Sequence, residues 1–236
     1  AKGFKASGIH CGIKKSKPDL TIIVSEVQAA AAGVYTKNVF KAAPVTVTQE
    51  HLAKGYARAL VVNSGNANAC TGQQGLADAK QMAVLVGDAL RIDPRQVVVA
   101  STGVIGVPLP MGKISSGIDA AVKALSVNGG SAAAEAIMTT DTIVKEVAVT
   151  FEISGVPVVV GGMAKGSGMI HPNMATMLAF ITTDAAIAPE LLKKALKQCT
   201  DLSFNRITVD GDTSTNDMAV VLANGAAGNE TISSEN

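Results

Sequence analysis

Short apolar runs separated by polar residues or glycine set the pattern of the first hundred residues. Three such runs follow Asp19, at residues 20–25, 29–36 and 44–48, and they predict an initial sheet of short strands. Two further runs, at residues 59–62 and 97–100, are apolar throughout, which is typical of buried strands. The N-terminal part of the chain is therefore predicted to contribute several strands.

Apolar residues at three- and four-residue spacing predict helices after these strands. The longest such stripe ends near Arg91 and comprises Leu76, Ala79, Ala83, Val86 and Leu90. A second stripe extends from Ile114 to Leu125, and the glycine pair after Asn128 ends it. A short third helix is predicted at residues 132–138.

The second half of the chain is predicted to contain a hairpin, two more strands and a helix. Ser154 and Gly155 separate two apolar runs, at residues 146–151 and 156–160, which indicates a β-hairpin. Strands are predicted at residues 177–183 and 218–222. A helix is predicted between them at residues 189–199, with Pro189 in its first turn. Its inner face is predicted to comprise Leu192, Ala195, Leu196 and Cys199.

Composition argues against nucleic-acid and membrane partners. The chain has 236 residues, 47% of them hydrophobic, and a net charge of +1, which suits one large domain or two smaller ones. There is no basic stripe and no tryptophan, so stacking platforms for single strands would be hard to build. The apolar runs are far shorter than a bilayer span, and the first residues lack the apolar region of a signal peptide. We therefore expect a soluble protein.

The cysteines and the glycine-containing loops predict no cofactor. Cys11, Cys70 and Cys199 are odd in number and scattered, which favours a reducing, cytoplasmic compartment, and buried packing is the expected role of each. No histidine or cysteine spacing suits zinc. The segment from Gly106 to Gly112 departs from a phosphate loop, and residues 210–221 depart from a calcium loop.

Residues 163–180 form the segment with the most distinctive candidate catalytic residues of the chain. A glycine-rich polar approach, which includes Lys165, leads to His171, and Pro172 forces that histidine into an extended conformation. Ala175 and Thr176 then lie at the junction with the predicted strand. A threonine here could simply begin the strand, where this residue type is favoured.

The other interpretation of Thr176 is a nucleophile that cuts the peptide bond before it. A threonine hydroxyl needs a base, and the amino group of an N-terminal threonine can supply one, with an ordinary pKa of about 7.7 to 8.0. That amine exists only after cleavage. Thr176 Oγ would attack the Ala175 carbonyl, and water would hydrolyse the resulting ester.

Two segments resemble the ornithine acetyltransferase (glutamate N-acetyltransferase) family of arginine biosynthesis. Residues 166–178, Gly-Ser-Gly-Met-Ile-His-Pro-Asn-Met-Ala-Thr-Met-Leu, are similar to its self-cleavage motif. Residues 63–72, Asn-Ser-Gly-Asn-Ala-Asn-Ala-Cys-Thr-Gly, are similar to a second family signature. Shorter matches occur at residues 19–20, 32–38 and 42–45. The resemblance extends from about Gly3 to the end of the chain.

The resemblance implies a fold, a cleavage and a set of site residues. The fold would be a multilayer α/β sandwich of the ornithine acetyltransferase and DmpA type, similar to the N-terminal nucleophile enzymes. Cleavage between Ala175 and Thr176 would give an α chain, residues 1–175, and the start of a β chain, residues 176–236, in an α2β2 heterotetramer. Thr176 would be the nucleophile. Thr102 and Gly103 would form the oxyanion hole, and Thr142, Lys165 and Thr176 would bind substrate.

Simpler structural roles are open for four of these residues, Thr102, Gly103, Thr142 and Lys165. A strand that ends in Thr102-Gly103 can aim a hydroxyl and an N–H at one point, as an oxyanion hole requires, but it can also be an ordinary turn. Residues 139–142 could be helix-capping chemistry. Lys165 could be a solvated charge, or it could bind a substrate carboxylate or lower the pKa of the Thr176 amine.

The resemblance implies ping-pong acetyl transfer from N2-acetyl-L-ornithine to L-glutamate, with acetyl-CoA as a donor in some members. Members of the family continue beyond the position of Asn236 into a part that supplies further substrate-binding groups. Two alternative functions therefore stay open. One is a related self-cleaving aminopeptidase or amidase, which gives its acyl group to water. The other is a truncated, non-catalytic chain that only binds a partner.

Overall fold

A computed structural model describes residues 1–169 and 177–235 of the chain. Its strands are β1 (Phe4–Ile9), β2 (Leu20–Tyr35), β3 (Tyr56–Asn66), β4 (Val97–Val104), β5 (Lys145–Ile153), β6 (Val156–Lys165), β7 (Leu178–Thr183) and β8 (Met218–Ala223). Its α-helices are α1 (Ala43–His51), α2 (Gly72–Leu90), α3 (Met111–Lys123), α4 (Gly130–Ala136) and α5 (Pro189–Leu202). Short 3-10 turns lie at Leu52–Lys54, Pro94–Gln96 and Phe204–Arg206.

All these strands join one mixed sheet in the order β4-β3-β2-β8-β7-β6-β5, and β1 pairs with β2. The pairs β3–β4 and β7–β8 are parallel, and the others are antiparallel. The long strand β2 lies between β3 and β8. It pairs with β3 on one side, with a register shift between Val24 and Ala29, and on the other side its first half pairs with β1 and its second half pairs with β8. This one strand therefore connects the two parallel pairs.

Helices cover both faces of the sheet, as expected of a layered α/β fold. On one face, α2 and α3 pack on β2, β3 and β4 through Met82, Val86, Ile114 and Ile118, all of them buried. On the opposite face, α4 packs against a cluster that includes Phe180. Helix α5 covers the far half of the sheet, where Leu192 and Leu196 contact β2, β7 and β8. Each such large apolar side chain contributes about 1.5–3 kcal/mol when fully buried.

The structure confirms most of the predicted elements but not the strand at residues 44–48. That segment is helix α1, which begins with proline in its first turn, where the fixed φ of proline is compatible with a helix. The Thr48 hydroxyl donates to the Val99 carbonyl at 2.7 Å and accepts from the Val99 N–H at 2.9 Å. The helix therefore covers the exposed edge of β4, and this tertiary contact outweighs the strand propensity of Val and Thr.

Two further strand predictions are corrected. The runs at residues 20–25 and 29–36 form a single strand, β2, because a register shift rather than a turn separates them. Strand β1 was not predicted, since its sequence FKASGI has no long apolar run. It is nevertheless fixed by six residue pairs with β2.

The expectation that all three cysteines are buried is wrong for two of them. Cys70 and Cys199 are exposed, and Cys11 is half-buried. On α5, Leu192 and Leu196 form the inner face while Cys199 lies outside it, one position before the buried Thr200. No α-helix in the described parts of the chain combines the length and apolar character needed to cross a bilayer.

Candidate active site

The parallel strands β3 and β4 end side by side, and this edge of the sheet is where the candidate site begins. Ser64 pairs with Thr102, and Gly65 pairs with Gly103. Gly103 has a φ of +136°, and a Cβ there would lie 2.3 Å from the Gly65 carbonyl carbon. A larger residue at position 103 would therefore clash with the neighbouring strand.

The asparagine-rich end of β3, together with the loop that follows it, fixes this edge through hydrogen bonds. The Asn66 side chain donates to the carbonyls of Val107 and Pro108 at 3.0 and 3.1 Å. The Asn68 side chain donates to the Gly75 carbonyl at 2.8 Å and so ties the loop to α2. Asn63 accepts from the Ser101 hydroxyl at 2.6 Å, which links β3 to β4. These amides therefore have structural roles, because they satisfy backbone groups where the sheet pairing stops.

Lys165, the last residue of β6, is buried against this edge. Its Nζ donates to the Thr102 hydroxyl at 3.3 Å, and only 4% of the residue is exposed. Burial lowers the pKa of Lys165, while the carboxylates of Asp141 and Asp217 act in the opposite direction. Lys165 is therefore not a solvated surface charge, which was one of the roles that the sequence left open for it. Because Thr102 accepts this hydrogen bond, its own hydroxyl proton is available to donate elsewhere.

Asp141 holds the segment around Lys165 in place. Its carboxylate accepts from the Gly166 N–H at 2.7 Å, the Lys145 ammonium at 2.6 Å and the Thr139 N–H at 3.2 Å. Burial would raise the pKa of Asp141, but these three donors outweigh it and the pKa is lowered. The side chain therefore joins the start of β5, the end of β6 and the loop between α4 and β5.

A second buried aspartate lies at the start of β8. Asp217 accepts from the Met177 N–H at 3.1 Å through Oδ1. Burial raises its pKa to about 7, although the Ser214 side chain, the Met177 N–H and the charge of Lys165 all act to lower it. The adjacent Asn216 donates to the carbonyls of Ala67 and Ser101 at 2.6 and 2.8 Å. The loop at residues 210–217 is therefore attached directly to the ends of β3 and β4.

A third cation, Lys14, comes from the loop after β1. Its Nζ donates to the carbonyls of Met138 and Pro18 at 2.6 and 2.8 Å. Partial burial lowers the pKa of Lys14 to about 8; Asp19 counteracts this, and Lys17 and Lys165 add to it. Positive charge thus approaches the candidate site from two separate elements.

These elements surround a cavity of about 630 Å³. Its described lining includes Lys14, Thr102, Gly103, Thr139, Thr140, Lys165, Asp210, Asp212, Ser214 and Asn216. A volume of this size accommodates a small metabolite. Two lysines and several hydroxyl-bearing residues are part of this lining, and such groups can bind a carboxylate and stabilise developing negative charge. Within residues 1–169 and 177–235, no group of three or more His, Cys, Asp and Glu side chains could hold a metal ion.

The sequence-predicted site residues are only partly brought together. Thr102, Gly103 and Lys165 line the same cavity, whereas Thr142 is exposed and is not part of the described lining. Ala175 and Thr176 lie outside the described residues. Sequence reasoning missed Lys14 and Asp141, and although the acidic loop at residues 210–217 was expected to border the active site, no role was predicted for Asp217. The acidic 210–217 segment and the aspartate within Thr-Thr-Asp-Thr were the available signals for two of these residues.

Known proteins similar to this chain include bacterial enzymes of arginine biosynthesis. The arginine biosynthesis bifunctional protein ArgJ of Symbiobacterium thermophilum is 60% identical over 233 residues, covering 98% of this chain and 58% of that protein. The chain thus spans somewhat more than half the length of the curated relatives it matches.

Two solved structures of enzymes of this kind are also similar to the chain. The crystal structure of ArgJ from Bacillus halodurans is 50% identical with a TM-score of 0.70, over 74% of this chain and 92% of that one. Ornithine acetyltransferase from Mycobacterium tuberculosis, solved with ornithine, is 40% identical with a TM-score of 0.63, over 72% of this chain and 92% of that one.

A more distant likeness concerns the fold alone. The L-aminopeptidase D-Ala-esterase/amidase of Ochrobactrum anthropi, described as a variant of the Ntn hydrolase fold, has a TM-score of 0.56 at 12% identity. It covers 95% of this chain and 72% of that one. The predicted α/β architecture is thereby confirmed. The family model for ArgJ matches residues 5–236, and the chain therefore belongs to the ArgJ family.

Proposed function

We propose that this chain carries the nucleophile and the oxyanion hole of a glutamate N-acetyltransferase. The observation that supports this best is the contact of Lys165 with Thr102 beside Gly103, at a cavity large enough for an acetylated amino acid. Family membership supports the same conclusion, since a relative is named ornithine acetyltransferase and was solved with ornithine.

The first step is self-cleavage between Ala175 and Thr176. Thr176 Oγ attacks the Ala175 carbonyl carbon, the C–N bond breaks, and Thr176 gains a free amino group. Water then hydrolyses the ester and leaves a carboxylate on Ala175. The similarity of residues 166–178 to the self-cleavage motif of the family supports this step.

In the transfer reaction the Thr176 hydroxyl accepts the acetyl group and then gives it up. Thr176 Oγ attacks the acetyl carbonyl of N2-acetyl-L-ornithine, and its proton passes to the Thr176 amine. The amine then protonates ornithine as the C–N bond breaks. L-Glutamate attacks the acetyl-threonine ester through its amino group, N-acetylglutamate forms, and the hydroxyl is restored. The amine therefore acts first as a base and then as an acid.

The described residues supply electrostatic support for both tetrahedral intermediates. The Thr102 hydroxyl and the Gly103 N–H donate to the oxyanion, and loss of one such donor typically costs about 3–4 kcal/mol of barrier. Lys165 binds a substrate carboxylate, and Thr142 contributes a further contact. The same site could take acetyl from acetyl-CoA. The two cleavage products remain associated because both contain strands of one sheet, and two of each form the heterotetramer.

The decisive test is the intact mass of the full-length protein, compared with Thr176→Ala and with Thr182→Ala as a control in β7. We expect the wild type and the control to split into two chains, the second beginning at Thr176, while Thr176→Ala stays whole. Cleaved enzyme should then convert acetylornithine and glutamate to ornithine and N-acetylglutamate. A wild type that stays uncut would refute the nucleophile. Cleaved enzyme that releases acetate to water and acetylates no glutamate would support the amidase rival.

A further inference from the structure

Two buried aspartates act on Lys165, and their surroundings differ sharply. Asp141 accepts hydrogen bonds from three donors, and the pKa of its carboxyl is lowered. Asp217 is 1% exposed, and its Oδ2 has no hydrogen-bond partner within the described residues. A buried carboxylate oxygen without a partner costs stability, whereas a fully satisfied carboxylate does not. The two aspartates are therefore unequal in what they contribute to the fold.

The backbone around Asp217 is held without its carboxylate. The Asp217 carbonyl accepts from the Thr36 N–H at 2.9 Å, and the Thr215 carbonyl accepts from the Ala42 N–H at 2.9 Å. The Ser214 carbonyl accepts from the Thr36 hydroxyl at 2.7 Å. The loop is thus anchored to the segment between β2 and α1 through main-chain carbonyls. An uncharged side chain of the same shape at position 217 would leave these contacts intact.

What the Asp217 carboxylate does contact is Met177, the residue directly after the proposed nucleophile. Oδ1 accepts from the Met177 N–H, and the Met177 carbonyl accepts from the Met218 N–H at 3.2 Å, so Met177 is held from both sides. The negative charge also acts on Lys165, which contacts Thr102. One side chain therefore connects the start of β7 with the lysine of the oxyanion region.

From these contacts we infer that Asp217 is a positioning residue for the proposed acyl transfer. It fixes the backbone at Met177 and helps to keep Lys165 positively charged, at a cost in stability. This inference rests on the proposed function. The raised pKa of about 7 is consistent with a carboxylate kept in a site that disfavours its charge. Among the described residues, Lys165 is the charged group that acts on it.

The stability of the two aspartate variants should separate a positioning role from a structural one. The pKa of Asp217 rises from 3.8 to about 7 on folding, so the folded wild type binds more protons and loses stability as the pH rises between these values. Asp217→Asn removes this loss. Its thermal midpoint relative to wild type should therefore increase between pH 5 and pH 8. Asp141→Asn should lower the midpoint at both pH values, since its neutral oxygen accepts more weakly from Gly166 and Lys145, and its NH2 group cannot accept from the Thr139 N–H.

Activity completes the test, measured on the full-length protein by intact mass for cleavage and by acetylornithine-to-glutamate transfer. Asp217→Asn replaces the charged acceptor of the Met177 N–H by a neutral one and removes the negative charge that acts on Lys165. We expect it to slow cleavage or transfer by about 10- to 100-fold, the difference in strength between a charged and a neutral hydrogen bond. At pH 8 its midpoint should equal or exceed that of wild type. Wild-type rates in Asp217→Asn, or a midpoint that falls as in Asp141→Asn, would overturn the inference. A wild type that neither cleaves nor transfers would overturn the proposed function itself, and the inference with it.

Discussion

Lys165 Nζ donates a hydrogen bond to the Thr102 hydroxyl at 3.3 Å, and this contact joins the end of β6 to the end of β4 across 63 positions of sequence. The donor is a buried cation and the acceptor precedes Gly103, whose backbone has a positive φ. The contact therefore combines a charge, a hydroxyl group and a backbone N–H at one edge of the sheet.

Replacing Lys165 should weaken binding of a carboxylate substrate. Lys165→Met keeps much of the buried aliphatic volume but removes the ammonium group, and a hydrogen bond to a charged group is worth about 1.5–3 kcal/mol. We expect KM for acetylornithine to rise by about 10- to 100-fold. Steady-state kinetics of the cleaved enzyme measure this change.

Lys145→Met is the matched control for that experiment. Lys145 also contacts Asp141, but its side chain is 42% exposed and lies at the start of β5. Without Lys145 the buried Asp141 carboxylate keeps its hydrogen bonds from the Gly166 and Thr139 N–H groups, and the lost ammonium group is partly solvated. We therefore expect KM to change by about fivefold or less, which corresponds to about 1 kcal/mol. Equal effects of the two substitutions would argue against a special role for Lys165.

Adding a methyl group at Gly103 should destabilise the fold. A Cβ at this position would lie 2.3 Å from the Gly65 carbonyl carbon and 2.5 Å from the Asn66 nitrogen, both of which are backbone atoms of β3. The paired strands would have to separate. We expect Gly103→Ala to lower the free energy of unfolding by about 3 kcal/mol or more, as strained backbone sites with clashes do. Urea denaturation gives the value.

The comparison variant is Gly106→Ala. Gly106 also has a positive φ, +81°, but no atom lies within 4 Å of the position that a Cβ would take. Only the conformational penalty of about 1 kcal/mol then remains. If both variants lost the same stability, close packing of β3 against β4 would not be the reason for glycine at position 103.

The site residues that the sequence predicts are those whose positions follow from a pattern of neighbouring residues. An apolar run followed by Ser-Thr-Gly places Thr102 and Gly103 at a strand end. Lys165 was instead predicted in a glycine-rich approach after a strand that ended at residue 160, whereas β6 continues to Lys165. Asp217 could not be placed in this way. Its partner Met177 is 40 residues earlier, and that contact depends on the parallel pairing of β7 with β8. Pairing between distant strands leaves no pattern in a single sequence.

Tertiary contacts also explain the clearest error in secondary structure. Residues 44–48 alternate Val and Thr, a pattern that favours a strand on intrinsic preference. The segment forms a helix because Thr48 bonds the backbone of Val99 and because Val45 and Val47 are fully buried. Pro44 was the one local signal for a helix start. The sequence predicted helices α2, α3 and α5 well because their apolar stripes extend over several turns.

Two of the three cysteines should react with a thiol reagent in the folded chain. Cys70 and Cys199 are exposed, whereas Cys11 is half-buried and its pKa is raised to about 12 by burial and by the neighbouring Asp19. A thiol with so high a pKa contains little thiolate at neutral pH and reacts slowly. Mass spectrometry after brief alkylation should show two labels under native conditions and three after denaturation. Native labelling of Cys11 at the rate of Cys70 would contradict this assignment.

Asp19 should make the fold sensitive to acid. The carboxylate is fully buried and accepts from the N–H groups of Cys11, Gly12 and Lys14 at 2.6, 3.2 and 2.8 Å. Burial alone would raise the pKa of Asp19, but the N–H groups of Cys11 and Lys14, the Cys11 thiol and the neighbouring His10 outweigh it, and the pKa falls below its ordinary value of 3.8. A carboxyl group with a lowered pKa stabilises the fold above pH 3.8, and this stabilisation is lost as the pH falls through the folded-state value.

We therefore expect Asp19→Asn to lose about 2–3 kcal/mol of stability at pH 7, because an amide oxygen replaces a charged acceptor and its NH2 group faces N–H donors. The difference from wild type should begin to shrink below about pH 3.8, where the unfolded wild-type chain takes up a proton at Asp19, and it should shrink further as the pH falls through the lower folded-state pKa. Asp119→Asn is the control, because Asp119 is exposed on the outer side of α3. It should change stability by less than about 0.5 kcal/mol at either pH. Urea denaturation at pH 7 and at pH 3 measures both effects. If the penalty of Asp19→Asn were the same at the two pH values, the charge of Asp19 would contribute nothing, and the loop from Cys11 to Lys14 would depend on shape alone.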